Sequence, residues 1–271
     1  MRVAALQMVS SPNVAANLDM ARQLISQAAD AGAELAVLPE YFCLLGFKDT
    51  DKLAIAEQDG SGPLQDFLSQ CASSYKLWLV GGTIPLATGT LGKAHNTTLV
   101  HDPAGRCVAR YDKIHLFQFD DGSQSYDEAR VLLPGGQPVA FDVPSLDGFS
   151  YRVGLSICYD LRFPELYRKL AVDGADLLLV PSAFTHTTGQ AHWEVLLRAR
   201  AIENLAYVLA AAQGGTHDNQ RRTWGHSMVV DPWGLSLAEQ DEGPGVVLAD
   251  IDKATLTTHR RQLPALDHRK L

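Results

Sequence analysis

Several shortages narrow the possibilities before any motif does. The 271 residues include only 4 cysteines, at Cys43, Cys71, Cys107 and Cys158, with no CxxC spacing. That scatter suggests neither a disulfide framework nor a thiolate zinc site. The histidines form no HExxH, and the offset between His186 and His192 does not suit one helix face; no metal is implied. Long apolar runs are missing too. Leu177-Leu178-Leu179-Val180 is typical of those present, far short of the roughly 20 residues that cross a bilayer, so no membrane partner is expected. There is no basic surplus: Lys+Arg 23 against Asp+Glu 31 leaves a net charge of −8, which repels phosphate backbones and argues against a nucleic acid partner. The opening Met1-Arg2-Val3-Ala4-Ala5-Leu6 turns polar at Gln7, too soon for a secretory apolar segment, and the expected address is cytoplasmic. No repeat, low-complexity tract or Ser/Gly/Pro-rich linker interrupts the chain. Residues 1–271 therefore read as a single domain.

What is present has the pattern of an α/β protein. At 46% hydrophobic and 20% charged the chain can bury a large core. Val3–Met8 reads as an apolar strand, and Asn17–Ala31 as a helix with Leu18, Ala21, Leu24, Ile25 and Ala28 on one face, closed by Gly32. Leu35–Leu38 is a short strand that runs out at Pro39-Glu40, and Pro63–Tyr75 is a second amphipathic helix before the strand Leu77–Val80. Asn96–His101 and Cys107–Tyr111, joined by Asp102-Pro103-Ala104-Gly105, read as a hairpin with Lys113 at its exit. Phe117–Pro138 is a long irregular stretch, expected to border a site. Tyr151–Ile157 is a strand broken at Cys158-Tyr159-Asp160, followed by a helix with Pro164 in its first turn. Ala175–Val180, Tyr207–Ala212, Met228–Val230 and Val246–Ile251 supply further strands, with a long helix over Gln190–Leu205. Hairpins added to strand–helix alternation imply more than one sheet.

A lone cysteine at a strand end is usually inert packing. Cys158 differs by its context, because a strand-to-helix turn projects a side chain and aims the following amide, that of Tyr159, at whatever binds there. A thiol with an ordinary pKa of about 8.5 still needs a base or a cation nearby. Ser156, in Gly154-Leu155-Ser156-Ile157-Cys158, lacks the closing glycine of a serine-hydrolase elbow and lies inside the strand. Glu40 and Lys113 each abut apolar sequence and, taken singly, read as solvated charges. Joined to Cys158 they would form a complete set: a carboxylate to shuttle the proton, and a cation to favour thiolate and a developing oxyanion. Their spacing does not show that they meet.

Leu38-Pro39-Glu40-Tyr41-Phe42, Tyr111-Asp112-Lys113-Ile114-His115-Leu116-Phe117 and GLSICYDLRFPEL (residues 154–166) resemble the signature regions of the nitrilase, or carbon–nitrogen hydrolase, superfamily. The likeness continues through Pro181–Phe184, His192–Asn204 and Gly225–Gly234, and so covers nearly the whole chain. It implies an α-β-β-α sandwich that pairs into a four-layer homodimer or a higher homo-oligomer, acting on a small-molecule amide without cofactor or metal. By the same resemblance Cys158 is the nucleophile, Glu40 the general base, and Lys113 with the Tyr159 amide the oxyanion stabiliser. Glu128, ahead of Leu132-Leu133-Pro134-Gly135, fits the family's further acidic residue better than Asp127 does. Arg162, Phe184 and Thr188 would line the pocket, Arg162 pairing with a substrate carboxylate; a salt bridge to Glu165 or Asp160 is its plain alternative.

The branch most resembled contains deaminated glutathione amidase and omega-amidase, with the former side favoured. The expected activity is hydrolysis of a small carboxamide to acid and ammonia through a cysteine thioester. Action on alpha-ketoglutaramate, or on another small amide or carbamoyl amine, stays open, as does a non-catalytic scaffold. Which of Arg198, Arg200, Arg221 and Arg222 reach the pocket beside Arg162 is also open.

Overall fold

The computed structural model describes residues 1–120, 122 and 125–270; residues 121, 123 and 124 of the irregular stretch, and residue 271, lie outside the described residues. One sheet runs in the order Gly245–Asp250, Arg2–Gln7, Leu35–Val37, Trp78–Val80, Ala94–His101, Ile84–Ala87, with Cys107–Asp112 also paired to Ala94–His101. The other runs Ser236–Gln240, Ser227–Val230, Tyr207–Ala210, Leu177–Leu179, Ser150–Leu155, Ala140–Pro144. Strands joined through helices are parallel, whereas the hairpins and edge strands are antiparallel.

The two-residue period of a strand makes the layers. In the first sheet Val3, Ala5, Leu35 and Val37 join Val153, Leu155, Leu177 and Leu179 of the second sheet in one apolar cluster. Their neighbours Ala4, Leu6, Ala36 and Leu38 face the other way, onto helices Val14–Asp30 and Pro63–Tyr75. The second sheet carries helices Pro164–Val172 and His186–Asn204, which contribute Tyr167, Leu170, Trp193 and Leu197. The result is the expected helix–sheet–sheet–helix sandwich.

Several readings need adjustment. The first helix begins at Val14 rather than Asn17, because Asn13 caps it through Ala16 N. Phe117–Pro138 is not irregular throughout: Gln118–Asp120 pairs with Ser125–Asp127, and Glu128–Arg130 forms a 3-10 turn, elements too short to show a period. The long helix starts a turn earlier, at His186, where Thr185 Oγ1 accepts from Thr188 N. Edge strands Ala140–Pro144 and Ser236–Gln240 and helix Lys253–Gln262 carry mixed, half-exposed residues and show no apolar run. Among the described residues no helix is long and apolar enough to cross a membrane.

Candidate active site

Glu40 follows the strand Leu35–Val37 in a turn whose next residue, Tyr41, takes a left-handed φ of 56°. Gly82, itself at φ 49°, packs so closely that a Cβ there would collide with the Pro39 carbonyl. Tyr41 N donates to Thr83 Oγ1 at 2.8 Å, fixing the turn. The Glu40 carboxylate, 1% exposed, accepts from Asn96 Nδ2 (2.8 Å) and Lys113 Nζ (2.9 Å) on Oε1, and from Ala183 N (2.9 Å) on Oε2.

Lys113 leaves the end of Cys107–Asp112. Its N–H donates to Asn96 O at 2.9 Å, and its carbonyl accepts from Gly135 N at 2.8 Å. Its ammonium also reaches Glu128 Oε1 (3.0 Å) and Oε2 (2.8 Å). Glu128 further accepts from Tyr41 Oη and Phe117 N, each at 2.7 Å. Asp127, the neighbouring acidic candidate, turns its carboxylate to Ala129 N to cap the 3-10 turn.

Cys158 sits where strand Ser150–Leu155 gives way to a 3-10 turn over Cys158–Arg162, with φ at 48°. Its own N–H is taken by Pro181 O at 3.0 Å and so is not free to serve a ligand. Asp160 holds this turn to the Lys113 segment. Fully buried, it accepts from Ile157 N (2.9 Å), Tyr111 Oη (2.7 Å) and His115 N (3.0 Å), and lies 2.7 Å from His115 Nδ1. The His115 ring stacks on Phe163 with centroids 3.6 Å apart.

Electrostatics run against a resting thiolate. Burial pushes the Cys158 thiol up and Glu40 raises it further; Lys113 opposes them without prevailing, and the thiol stands well above its ordinary value. Lys113 thus acts in the expected direction, toward thiolate, but burial and Glu40 outweigh it. Burial pulls the Lys113 ammonium down, but Glu128 and Glu40 outweigh it and the lysine stays charged. Burial raises the Glu128 carboxyl, and Lys113 and Lys52 together bring it below the ordinary carboxylate value.

These groups meet at one cleft, about 950 Å³ of space counted to its open mouth. Glu40, Glu128, Cys158, Tyr159, Arg162, Phe184 and Thr188 line it; Lys113 stands behind the wall at 1% exposure. Arg162 lies 5.4 Å from the Phe184 ring centroid and 5.8 Å from that of Tyr159. Its Nη1 is 3.3 Å from His192 Nδ1, and among the described residues no carboxylate is within ion-pair distance, so the bridge to Glu165 or Asp160 is not formed. Arg221 and Arg222 also line the cleft but are paired with Asp49 and Glu242. Arg198 and Arg200 are held elsewhere, on the carbonyls of Gly234 and Leu161. Ser156 is buried, bonded to Tyr167 Oη and Leu179 O at 2.7 Å each. Sequence reasoning passed over Asn96, Asp160, Tyr41 and Lys52. Asp160 and Tyr41 lie within the quoted motifs and could have been suspected, whereas Asn96 and Lys52 carry no local signal.

Among the described residues, His226, Glu239 and Asp241 offer ligand-type atoms within 4.8 Å of one another. They do not line the cleft, and the His226–Glu239 hydrogen bond of 2.8 Å accounts for their approach.

Known proteins resemble this chain closely. The family described as carbon-nitrogen hydrolase matches residues 2–261. A protein of Synechocystis sp. named deaminated glutathione amidase is 45% identical over 269 residues, 98% of this chain and 97% of its own. Saccharomyces cerevisiae Nit3, described as a member of branch 10 of the nitrilase superfamily, superposes with a TM-score of 0.87 at 31% identity, covering 100% of this chain and 97% of Nit3. A mutant amidase from Nesterenkonia sp. AN1, in which acrylamide has added to the active-site cysteine, superposes at 0.79 with 28% identity over 97% of this chain and 98% of its own. With its sandwich fold and the family match spanning nearly its whole length, the chain belongs to the carbon–nitrogen hydrolase family of the nitrilase superfamily.

Proposed function

We propose that the chain hydrolyses a small amide through a thioester on Cys158, and that deaminated glutathione is its substrate. Glu40 takes the Cys158 proton as sulfur bonds to the amide carbon, and negative charge forms on oxygen between Lys113 Nζ and the Tyr159 N–H. Protonated Glu40 gives its proton to nitrogen as the C–N bond breaks and the amine departs. Glu40 then accepts a proton from water, whose oxygen attacks the thioester carbonyl; the acid leaves and the proton returns to sulfur. Every group in this cycle is a protein group. Glu128 orients Lys113 from its far side, so that the ammonium bridges two carboxylates rather than one. The observation that carries the reading is the 2.9 Å contact between Glu40, which lines the cleft together with Cys158, and Lys113 directly behind that wall.

The substrate follows from the names of relatives together with Arg162, a cleft guanidinium without a carboxylate partner among the described residues and suited to planar pairing with a 2-oxo acid. Deaminated glutathione has no primary carboxamide, so the group released from it is an amine; ammonia is the product only with alpha-ketoglutaramate. Comparing kcat/KM for these two amides tests the assignment. A preference for alpha-ketoglutaramate would move the chain to omega-amidase activity, and no turnover of either, with no acyl adduct on Cys158 by intact mass, would defeat the reading.

We further propose one domain over residues 1–271, working as a homodimer in the cytoplasm. Val195, Ile202, Trp233 and Leu235 stay exposed, an apolar surface suited to a second copy, which light scattering would reveal. The cysteines Cys43, Cys71, Cys107 and Cys158 are all free, as suits a reducing compartment.

A further inference from the structure

Several cations at the cleft are already partnered. Lys113, behind its wall, lies between Glu40 and Glu128, Arg221 pairs with Asp49, and Arg222 with Glu242. Arg162, Lys52 and Lys48 line the cleft, and among the described residues none of the three has a carboxylate within ion-pair distance; Lys48 is exposed at the rim, whereas Arg162 and Lys52 are half-buried. We infer that the Lys52 ammonium is a second carboxylate-binding point, which takes the anionic end of the departing amine while Arg162 holds the carboxylate of the acyl part. This rests on the amide reading above and extends it to the leaving group.

Placement supports the division. Lys52 belongs to the short helix Asp51–Ala54, and its Nζ lies 3.4 Å from Tyr41 Oη and 4.4 Å from the Tyr41 ring centroid. Tyr41 follows Glu40, the group that hands a proton to the leaving nitrogen. Arg162 closes the 3-10 turn that Cys158 opens, and Cys158 keeps the acyl carbon. Acyl and amine halves therefore part toward different walls, each with its own unpaired cation. Burial lowers the Lys52 ammonium, partly opposed by Glu128, and an arriving carboxylate would relieve that cost. Ammonia offers no such anion. A dipeptide amine ending in a free carboxylate does, and that is the amine deaminated glutathione would release.

Lys52 could instead act only on Glu128, through Tyr41 Oη, and the test must separate the two roles. Wild type, Lys52→Met and Lys52→Arg are assayed on deaminated glutathione, on its analogue with the glycine carboxylate converted to carboxamide, and on alpha-ketoglutaramate. Lys52→Met is expected to lower kcat/KM about 30-fold on deaminated glutathione, chiefly through KM, and about 3-fold on the other two, in line with loss of a charge-assisted hydrogen bond. Lys52→Arg should recover most of the loss. Wild type should itself discriminate about 30-fold between deaminated glutathione and the amidated analogue. Equal losses on all three substrates would assign Lys52 to Glu128 and overturn the inference. A larger effect from Lys48→Met, at the exposed rim, would overturn it also. If Lys52→Met does not fold, the wild-type comparison decides, and no discrimination there defeats the proposal. Wild type inactive on deaminated glutathione would bring down the substrate assignment and this inference together; activity with uniform losses would remove only the Lys52 role.

Discussion

The floor and the mouth of the cleft are built on different terms. On the floor, Glu40 has three donors, Lys113 lies between two carboxylates, and Asp160 pins the Cys158 turn to the Lys113 segment. At the mouth, Arg162 rests on aromatic rings and Lys52 on one ring and one hydroxyl. Groups that move a proton need fixed positions, so they are over-determined; groups that greet a charged ligand are left wanting a partner. On the proposed roles, chemistry sits where strands run out and selectivity on the short helical turns beside them.

If that contrast holds, floor substitutions reduce kcat and mouth substitutions raise KM. Cys158→Ala should cost at least about 10⁴-fold in kcat with an unchanged circular dichroism spectrum; retained turnover would break the comparison outright. Glu40→Gln, which keeps the shape and loses the base, should cost about 10³-fold in kcat. Alkylation of the wild type should depend steeply on pH. Because burial and Glu40 hold the Cys158 thiol above its ordinary value, the thiolate fraction grows throughout the range below that value. Iodoacetamide labelling should then rise about tenfold per pH unit, roughly 100-fold from pH 7 to 9; a plateau below pH 8 would mean a resting thiolate. Arg162→Gln should raise KM about 30-fold with kcat nearly kept, the signature of lost uniform binding. The smallest effect is expected from Asp160→Asn, about tenfold in kcat, accompanied by about 2 kcal/mol of stability in urea titration, since a buried acceptor of several N–H and O–H groups is weakened but not removed.

The same division marks what the sequence could disclose. Leu38-Pro39-Glu40 and Leu155-Ser156-Ile157-Cys158 announce strand ends, because a buried apolar run stops at a residue able to do chemistry. That Glu40, Lys113 and Cys158 converge is written in no spacing, and the resemblance to a family supplied what periodicity could not. Between Asp127 and Glu128 the resemblance favours Glu128, and the structure adds a local reason: the Asp127 carboxylate caps the start of a 3-10 turn while that of Glu128 reaches Lys113. Lys52 carried no sign at all, since a lysine in a four-residue helix too short to show a period reads as solvated until its wall is known. The edge strand Ser236–Gln240 stayed hidden because none of its residues is buried and they show no apolar alternation.

Gly82 and Gly135 carry no side chain, yet each lies against the carbonyl just before a residue of the proposed catalytic set: Pro39 ahead of Glu40, and Asp112 ahead of Lys113. One added methyl group at either place would push the neighbouring backbone aside. A survey of soluble but inactive variants should therefore recover alanine at these two positions beside the expected losses of sulfur and carboxylate.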